Sequence, residues 1–462
     1  MLRRAKLRSS IAAAALIAIT ASAADGQPGR PLHVRLDSIA ASGVKENRAV
    51  GIVAAVVRGN DTLLYQGYGK ANVEWDVPMP RDALFEIGSV TKQFTAVALL
   101  QLRDEGKLSL DDEITKWLPD FDTRGNRVTL RRLLDHTSGI VGLTEMPEFG
   151  NLATNERFPR DSAYALIRRT PFQFRTGEAQ IYNNSAFFLL GLVVEKASGM
   201  SYEDYVEKKI FEPLGMTRSM YCNSAENVPR RAQGYLVPGD RVVRRARTNV
   251  HTWPFSAGSL CSTAGDMVTW VRALHGGKVL SPASYAELIT PSKLNDGTPL
   301  RYSMGLQVGP DPSGHSYTGH GGAIAGFTAQ VGWYPTAKMA VVVLQNTAGT
   351  LDPSAVASEL ASQILGWTRP PPQRFAGDAA PLLGRYVGQG RGRDVAIEVT
   401  QTPGGLAFST DGAPARPVPW VEGLTFRQGV RILTFRRANG DSGPVTELRV
   451  STPGSHMILK KQ

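Results

Sequence analysis

The stretch Gly88-Ser-Val-Thr-Lys-Gln-Phe-Thr-Ala-Val-Ala-Leu-Leu-Gln-Leu102 decides the fold. Its apolar run from Phe94 to Leu102 predicts a buried helix, and Ser89 and Lys92 stand three residues apart at its start. Residues at that spacing share one helix face. A serine hydroxyl and a lysine amine would therefore face one cavity, and a desolvated lysine can lose its proton and activate the serine as a nucleophile. Gly88 lets the backbone approach closely and turn into the helix. At a helix start, free N–H groups and the dipole favour developing negative charge.

The spacing alone is weak, because Ser42-Gly-Val-Lys45 repeats it. That copy leads through polar residues into the strand-like run Val50–Val57 and is read as a surface turn. The same holds for the partners such a site needs. Tyr182-Asn-Asn184 supplies a phenol or phenolate for proton transfer, and Asn184 could hold the lysine and a substrate carbonyl. The apolar helix candidate Ser185–Val194 follows it. Tyr221-Cys-Asn223 repeats this pattern without a following apolar helix. Gly319-His-Gly-Gly-Ala323 reads as a strand edge whose glycines let a substrate lie against the backbone. One of its N–H groups, with that of Ser89, would make a two-donor oxyanion hole. His275-Gly-Gly277 ends a helical run, so its glycines read as a helix cap. Only Ser89/Lys92, Tyr182/Asn184 and His320/Gly322 give helix start, helix-flanking loop and glycine-rich strand in that order.

In that combination the chain resembles the serine β-lactamase and penicillin-binding-protein-like superfamily. It is most similar to the class C β-lactamase-related branch, with its D,D-carboxypeptidases, D-aminopeptidases and β-lactamase-fold esterases. Leu133-Leu-Asp-His-Thr-Ser-Gly139, Pro213-Leu-Gly-Met216 and Ala257-Gly-Ser-Leu-Cys-Ser-Thr-Ala-Gly-Asp-Met267 carry the resemblance further, over roughly residues 35–366. It implies an α+β fold of the β-lactamase/transpeptidase type, an antiparallel sheet with a helical cluster. It implies Ser89 as nucleophile with Lys92 and Tyr182 as acid/base partners. Asn184, His320, Gly322 and Ala323 would bind substrate, with the N–H groups of Ser89 and Ala323 as the oxyanion hole. His136 is treated as structural. One departure is chemical: true β-lactamases of this branch usually carry lysine where this chain has His320. Histidine is mostly neutral near pH 7, so a β-lactam carboxylate would be held less well. The expected activity is that of an exported serine hydrolase acting through an acyl-enzyme on esters or amides, as an esterase or D-amino-acid peptidase. The alternatives are a β-lactamase, or a penicillin-binding sensor without turnover.

Residues 1–24 read as a secretory signal: Arg3, Arg4, Lys6 and Arg8, a short apolar core, then Ala21-Ser-Ala23. The apolar core is too short to span a bilayer, so no integral membrane span is expected, and the bacterial periplasm is the expected location. Of the net charge of +11, those four positives leave +7. Arg230, Arg231 and the run Arg241–Arg247 form the one basic cluster, read as a solvated loop rather than a polymer-binding patch. Nothing resembles a nucleic-acid-binding module, and the partners expected are small-molecule or peptide substrates. The two cysteines, Cys222 and Cys261, are candidates for one bridge in an oxidising compartment. Seven histidines show no ligand spacing, so neither metal nor other cofactor is expected.

The 462 residues divide by pattern into the signal (1–24), a hydrolase domain (25–367), a proline-rich linker (368–380) and a small all-β domain (381–462). Within the hydrolase domain, Val50–Val57 and Thr62–Gly69 predict a hairpin and helical runs dominate to about residue 215. Strands return at Phe327–Trp333 and Met339–Leu344. The last segment shows short β-rich runs between glycine and proline turns, and reads as a β-barrel-like, lipocalin-like unit. Its role is either a stabilising appendage or a specificity element over the cleft.

Overall fold

The computed structural model describes residues 29–152, 159–311, 313–366, 373–440 and 442–462. The expected signal at 1–24 and positions 368–372 of the expected linker lie outside the described residues. Helix α1 (Leu32–Lys45) leads into a hairpin of β1 (Gly51–Arg58) and β2 (Asp61–Asn72). The helical region carries α2 (Thr91–Asp104), α3 (Asn184–Ser198) and α4 (Ala264–His275). The chain then returns as β3 (Leu306–Pro310), β4 (Ser316–Ile324), β5 (Phe327–Tyr334) and β6 (Met339–Gln345), and ends this unit with α5 (Pro353–Leu365).

These strands build one antiparallel sheet in the order Val77–Pro78, β2, β1, β6, β5, β4, β3, Tyr302–Ser303. The first and last strands of the unit are neighbours, β1 beside β6, with the helices inserted between them in sequence. Seven of the eight residues of β1 are buried, because both faces of the sheet are covered. Ile52, Ala54 and Val56 pack with Leu36 and Leu360 on the side of α1 and α5. Val53 and Ala55 face the other way, into the cluster that holds α2, α3 and α4. That alternation is the period-two signature of a strand. Within the second layer Phe94 stacks on Trp270 at 4.0 Å between ring centroids. Each such fully buried side chain contributes roughly 1.5–3 kcal/mol relative to exposure.

One sequence expectation changes here. Ser42-x-x-Lys45 is not a surface turn but the last turn of α1. A Cβ on Gly43 would lie 2.2 Å from Leu351 Cδ2, so any larger residue would have to push that leucine aside. The glycine marks a close helix contact, not a break.

Residues beyond the expected linker form a second unit with its own core. Its strands are β7 (Gly384–Gln389), β8 (Asp394–Thr402), β9 (Gly405–Thr410), β10 (Thr425–Gln428), β11 (Arg431–Asn439), β12 (Ser442–Thr452) and β13 (Ser455–Lys461). With the short strands Arg416–Pro417 and Trp420–Glu422 they form a nine-stranded sheet that runs from one of those short strands to the other. The two edges are consecutive in the chain, so the sheet curls around Tyr386, Phe408, Phe426 and Phe435 into a half-barrel. Among the described residues no ladder joins the two edges.

Candidate active site

Ser89 lies on a one-turn 3-10 helix, Gly88–Val90, that runs directly into α2. Gly88 has φ +51°, and a Cβ there would lie 2.8 Å from the backbone nitrogen of Ala323. A Cβ on Gly322 would lie 1.9 Å from the carbonyl oxygen of Ile87. Two backbones therefore touch where two glycines allow it, and β4 is pressed edge-on against the serine turn. This close approach brings the backbone nitrogens of Ser89 and Ala323 to the same contact, with a Cβ on Gly322 also 3.3 Å from Ser89 N.

Lys92 is fully buried one turn below Ser89. Its Nζ has three oxygen neighbours: Ala257 O at 2.7 Å, Asn184 Oδ1 at 2.8 Å and Ser89 Oγ at 3.2 Å. Burial first, then the charge of Arg391, push its pKa well below the usual lysine value, with Glu145 acting the other way. A neutral amine has two N–H groups and one lone pair. The two shorter contacts take the N–H groups, which leaves the lone pair facing the serine hydroxyl. That is the arrangement of a general base.

Tyr182 stands over this pair, with its ring centroid 4.8 Å from Lys92 Nζ. Its hydroxyl is buried and has no partner with good hydrogen-bond geometry. Burial raises the phenol pKa, while the nearby Ser89 hydroxyl and Arg391 lower it in part. The resting group is thus a phenol, not the phenolate that sequence chemistry also allowed. Asn184, the first residue of α3, accepts from Lys92 and donates from Nδ2 to Thr144 Oγ1 at 3.4 Å. Asn183 caps that helix by accepting from the N–H of Ala186 at 2.9 Å.

His320 is buried on β4, and its pKa falls to about 3 because burial and Lys92 both disfavour the cation. Its place is fixed by a chain of hydrogen bonds whose directions follow from one backbone donor. The N–H of Asn183 donates to His136 Nδ1 at 3.2 Å. His136 must then carry its proton on Nε2, which donates to Tyr302 Oη at 3.1 Å. Tyr302 donates to His320 Nε2 at 3.0 Å, and His320 Nδ1 donates to the Gly321 carbonyl at 2.5 Å. His136, Tyr302 and His320 are therefore a neutral wire behind the site. Sequence reasoning placed the two histidines but missed Tyr302, which sits in no motif.

Ser89, Tyr182, Asn184, His320, Gly322 and Ala323 line one cavity of ≈ 880 Å³, with Lys92 beneath it. The other wall comes from the second unit, and no sequence signal marked it. The turn Pro453–Ser455 between β12 and β13 closes on Tyr182: Ser455 Oγ accepts from the Tyr182 N–H at 3.2 Å. A Cβ on Gly454 would lie 3.1 Å from Tyr182 Cδ2. Gln180 and His456 exchange backbone hydrogen bonds of 3.1 and 2.7 Å. Arg391, from the turn between β7 and β8, lies 5.3 Å from the Tyr182 ring centroid. Its Nε pairs with Glu145 at 2.6 Å and its Nη2 donates to Thr144 at 3.0 Å.

The repeated motifs lie elsewhere. Tyr221 is turned away, donating to the His251 carbonyl at 2.7 Å. The basic cluster is mostly engaged: Arg230 pairs with Asp82, Arg231 with Glu86 and Arg244 with Asp240. Cys222 and Cys261 are joined, with Cα atoms 5.2 Å apart. The bridge links the chain after Tyr221 to the strand that pairs with Phe85–Glu86, just upstream of Ser89. Among the described residues no group of His, Cys, Asp and Glu is arranged to hold a metal ion, and no helix is long and apolar enough to cross a membrane.

Comparison with known proteins places these features. Penicillin-binding protein 4* of Bacillus subtilis is 28% identical over 62% of the chain, and D-aminopeptidase of Gluconobacter oxydans 28% identical over 77%. The match spans 66% of the length of each of these two relatives. The D-amino acid amidase of Ochrobactrum anthropi SV3, solved with L-phenylalanine amide, superposes with a TM-score of 0.63 at 25% identity, over 72% of this chain and 99% of its own. The β-lactamase family model matches residues 36–365. With most of its length in that match and its fold of the same kind, the chain belongs to the β-lactamase family.

Proposed function

We propose that this chain is an exported hydrolase that cleaves small amides or peptides of the D-amino-acid type, and activated esters, through an acyl-enzyme on Ser89. The carrying observation is the buried Lys92, whose two shorter contacts take its N–H groups and leave a lone pair toward Ser89. In acylation Ser89 Oγ attacks the carbonyl carbon and its proton passes to Lys92 Nζ. The N–H groups of Ser89 and Ala323 hold the oxyanion. As the carbonyl re-forms, the bond to the leaving group breaks. The leaving group takes the Tyr182 proton, and Lys92 restores it. Water then attacks the acyl carbon with the same groups in reverse.

The relatives that act on D-amino-acid substrates support the amide reading. A neutral His320 weakens the β-lactamase alternative, since it brings no cation to a β-lactam carboxylate. Export rests on the first 24 residues of the sequence. The test is turnover of D-phenylalanine amide, an acetylated D-Ala-D-Ala peptide and p-nitrophenyl butyrate, with intact-mass detection of an adduct from a fluorescent penicillin. The expected result is amide or ester turnover, with every signal lost in Ser89→Ala. Turnover that survives in Ser89→Ala sinks the assignment. A lasting penicillin adduct without product release would make the protein a sensor instead.

A further inference from the structure

Tyr302 stands in no motif, yet it joins the two motif segments that face each other across Ser89. One end of this connection is His136. It grips the chain on either side of Tyr182: its carbonyl accepts from the Ile181 N–H at 3.1 Å and its Nδ1 from the Asn183 N–H at 3.2 Å. Its ring centroid lies 4.5 Å from that of Tyr182. The other end is the Gly321 carbonyl, which accepts from His320 Nδ1. Gly321 directly precedes Gly322 and Ala323, the residues pressed against the serine turn. Tyr302 is the middle piece, accepting from His136 Nε2 and donating to His320 Nε2. It is fully buried, lines the same cavity as Ser89, and its backbone is fixed by the pairing of Tyr302–Ser303 with β3.

A phenol hydroxyl has one proton to give. The Nε2–H of His136 takes a lone pair of Tyr302, and the Tyr302 proton goes to His320 Nε2. That leaves the His320 proton on Nδ1, where the Gly321 carbonyl receives it. Both ring nitrogens of His320 are thereby used inside the protein, and neither is left for a substrate. A buried tyrosine that only had to satisfy its hydroxyl would need one partner. Tyr302 has two, and they lead to Tyr182 on one side and to the strand segment that carries the Ala323 N–H on the other. A donor moved slightly out of place loses stabilisation of the tetrahedral state while the ground-state complex still forms.

We infer that Tyr302 is a positioning residue for the acyl transfer: through His320 it holds the segment Gly321–Ala323 against the serine turn, and His320 serves that brace instead of binding substrate. The kinetic consequence rests on the proposed hydrolase; the hydrogen bonds do not. Tyr302→Phe removes one hydroxyl and keeps the ring. It is expected to lower kcat about tenfold for p-nitrophenyl butyrate and by a similar factor for D-phenylalanine amide, with little change in KM. Loss of a substrate ligand would instead raise KM and would differ between substrates. Butylboronic acid, whose tetrahedral adduct on Ser89 reads the oxyanion gap without turnover, should inhibit the variant about tenfold less well.

Nitrogen NMR of the full chain with isotope-labelled histidine reads the brace directly. In the wild type His136 should be neutral with its proton on Nε2, and His320 neutral with its proton on Nδ1. In Tyr302→Phe the His320 proton should spread to Nε2, because the donor that excluded it is gone. Unchanged kcat and unchanged boronate inhibition in a folded Tyr302→Phe would make Tyr302 a structural tyrosine and overturn the inference, whatever its melting temperature. A wild-type His320 that carries its proton on Nε2 would also overturn it, and that result needs no variant to fold. A wild type that turns over neither ester nor amide, with both tautomers as expected, would keep the brace and remove the hydrolase.

Discussion

Ser89/Lys92 and Ser42/Lys45 have the same spacing, and both stand on helices. They differ in which end. Ser89 sits where α2 begins, with N–H groups still free, and its lysine is fully buried among oxygen acceptors. Ser42 sits where α1 ends, its hydroxyl spent on the Ile39 carbonyl, and Lys45 is exposed to water. The same contrast separates the two Tyr-x-Asn copies. Tyr182 has an unpartnered buried hydroxyl over Lys92, whereas Tyr221 donates to a backbone carbonyl. Chemistry here belongs to the place that desolvates the residues, and the pattern only nominates them.

The sharpest way to break that contrast is at the lysines. Lys92→Arg keeps a cation but removes a group able to deprotonate. It is expected to lower kcat/KM for p-nitrophenyl butyrate on the order of 10³-fold or more, while Lys45→Arg changes nothing measurable. Near-normal activity in Lys92→Arg would show that charge, not proton transfer, is what the site needs. The sign of the pH dependence is also fixed. The folded pKa of Lys92 is lowered, so the neutral base fills in as pH rises through it, and wild-type kcat/KM should rise with pH on its acidic limb. In the unfolded chain the same lysine binds its proton up to about pH 10.4. Between the two values the unfolded state holds more protons, so stability rises with pH there. The melting-temperature difference between Lys92→Met and wild type should therefore shift in favour of wild type between pH 7 and pH 10. A difference that does not change with pH would contradict a depressed pKa.

The tyrosines give the next effect. Tyr182→Phe removes the proton carrier and should slow acylation by about 10²-fold or more. Tyr221→Phe should leave acylation alone and cost about 1 kcal/mol of stability for its lost hydrogen bond. Stopped-flow acylation rates and thermal melts separate the two. Equal losses of rate in both variants would erase the distinction.

The parts legible in the sequence were those written in short segments. Gly88-Ser89 before an apolar run, Asn184 opening another, and His320-Gly-Gly322 on a strand each carry their geometry locally. Tyr302 does not, because its partners His136 and His320 come from the loop after Leu134 and from β4, and nothing around Tyr302 marks a meeting point. The half-barrel shows the same limit. Short β-rich runs mark it as all-β, but in β7 and β13 glycines, lysines and polar residues hide the alternation. Arg391 stands in Gly390-Arg-Gly392, which reads as any turn. Its contact with Glu145 joins segments 246 residues apart, which no local pattern records.

That contact yields the smallest effect and the finest test of how the two units compare. If the motif segments alone set the chemistry, Arg391 is a surface residue of an appendage. If the half-barrel completes the site, its charge is felt at Lys92. After burial, Arg391 is the largest influence lowering the Lys92 pKa, and it also lowers that of Tyr182. Removing it in Arg391→Gln should raise both. Glu145 raises both values and loses its cationic partner, so it pushes the same way. The acidic and basic limbs of the kcat/KM profile should then both move to higher pH, with a loss below about tenfold at neutral pH. The Arg391 side chain is 45% exposed, so solvent screens its pair with Glu145 and little stability should go with it. Arg393, two residues on, pairs with Asp411 within the half-barrel and serves as control. Arg393→Gln should leave both limbs in place, because it removes the same charge from the same loop without touching the site. A profile that moves in neither variant would return the half-barrel to an appendage. A shift in Arg391→Gln alone would make it a wall of the active site with a charge that the motifs lack.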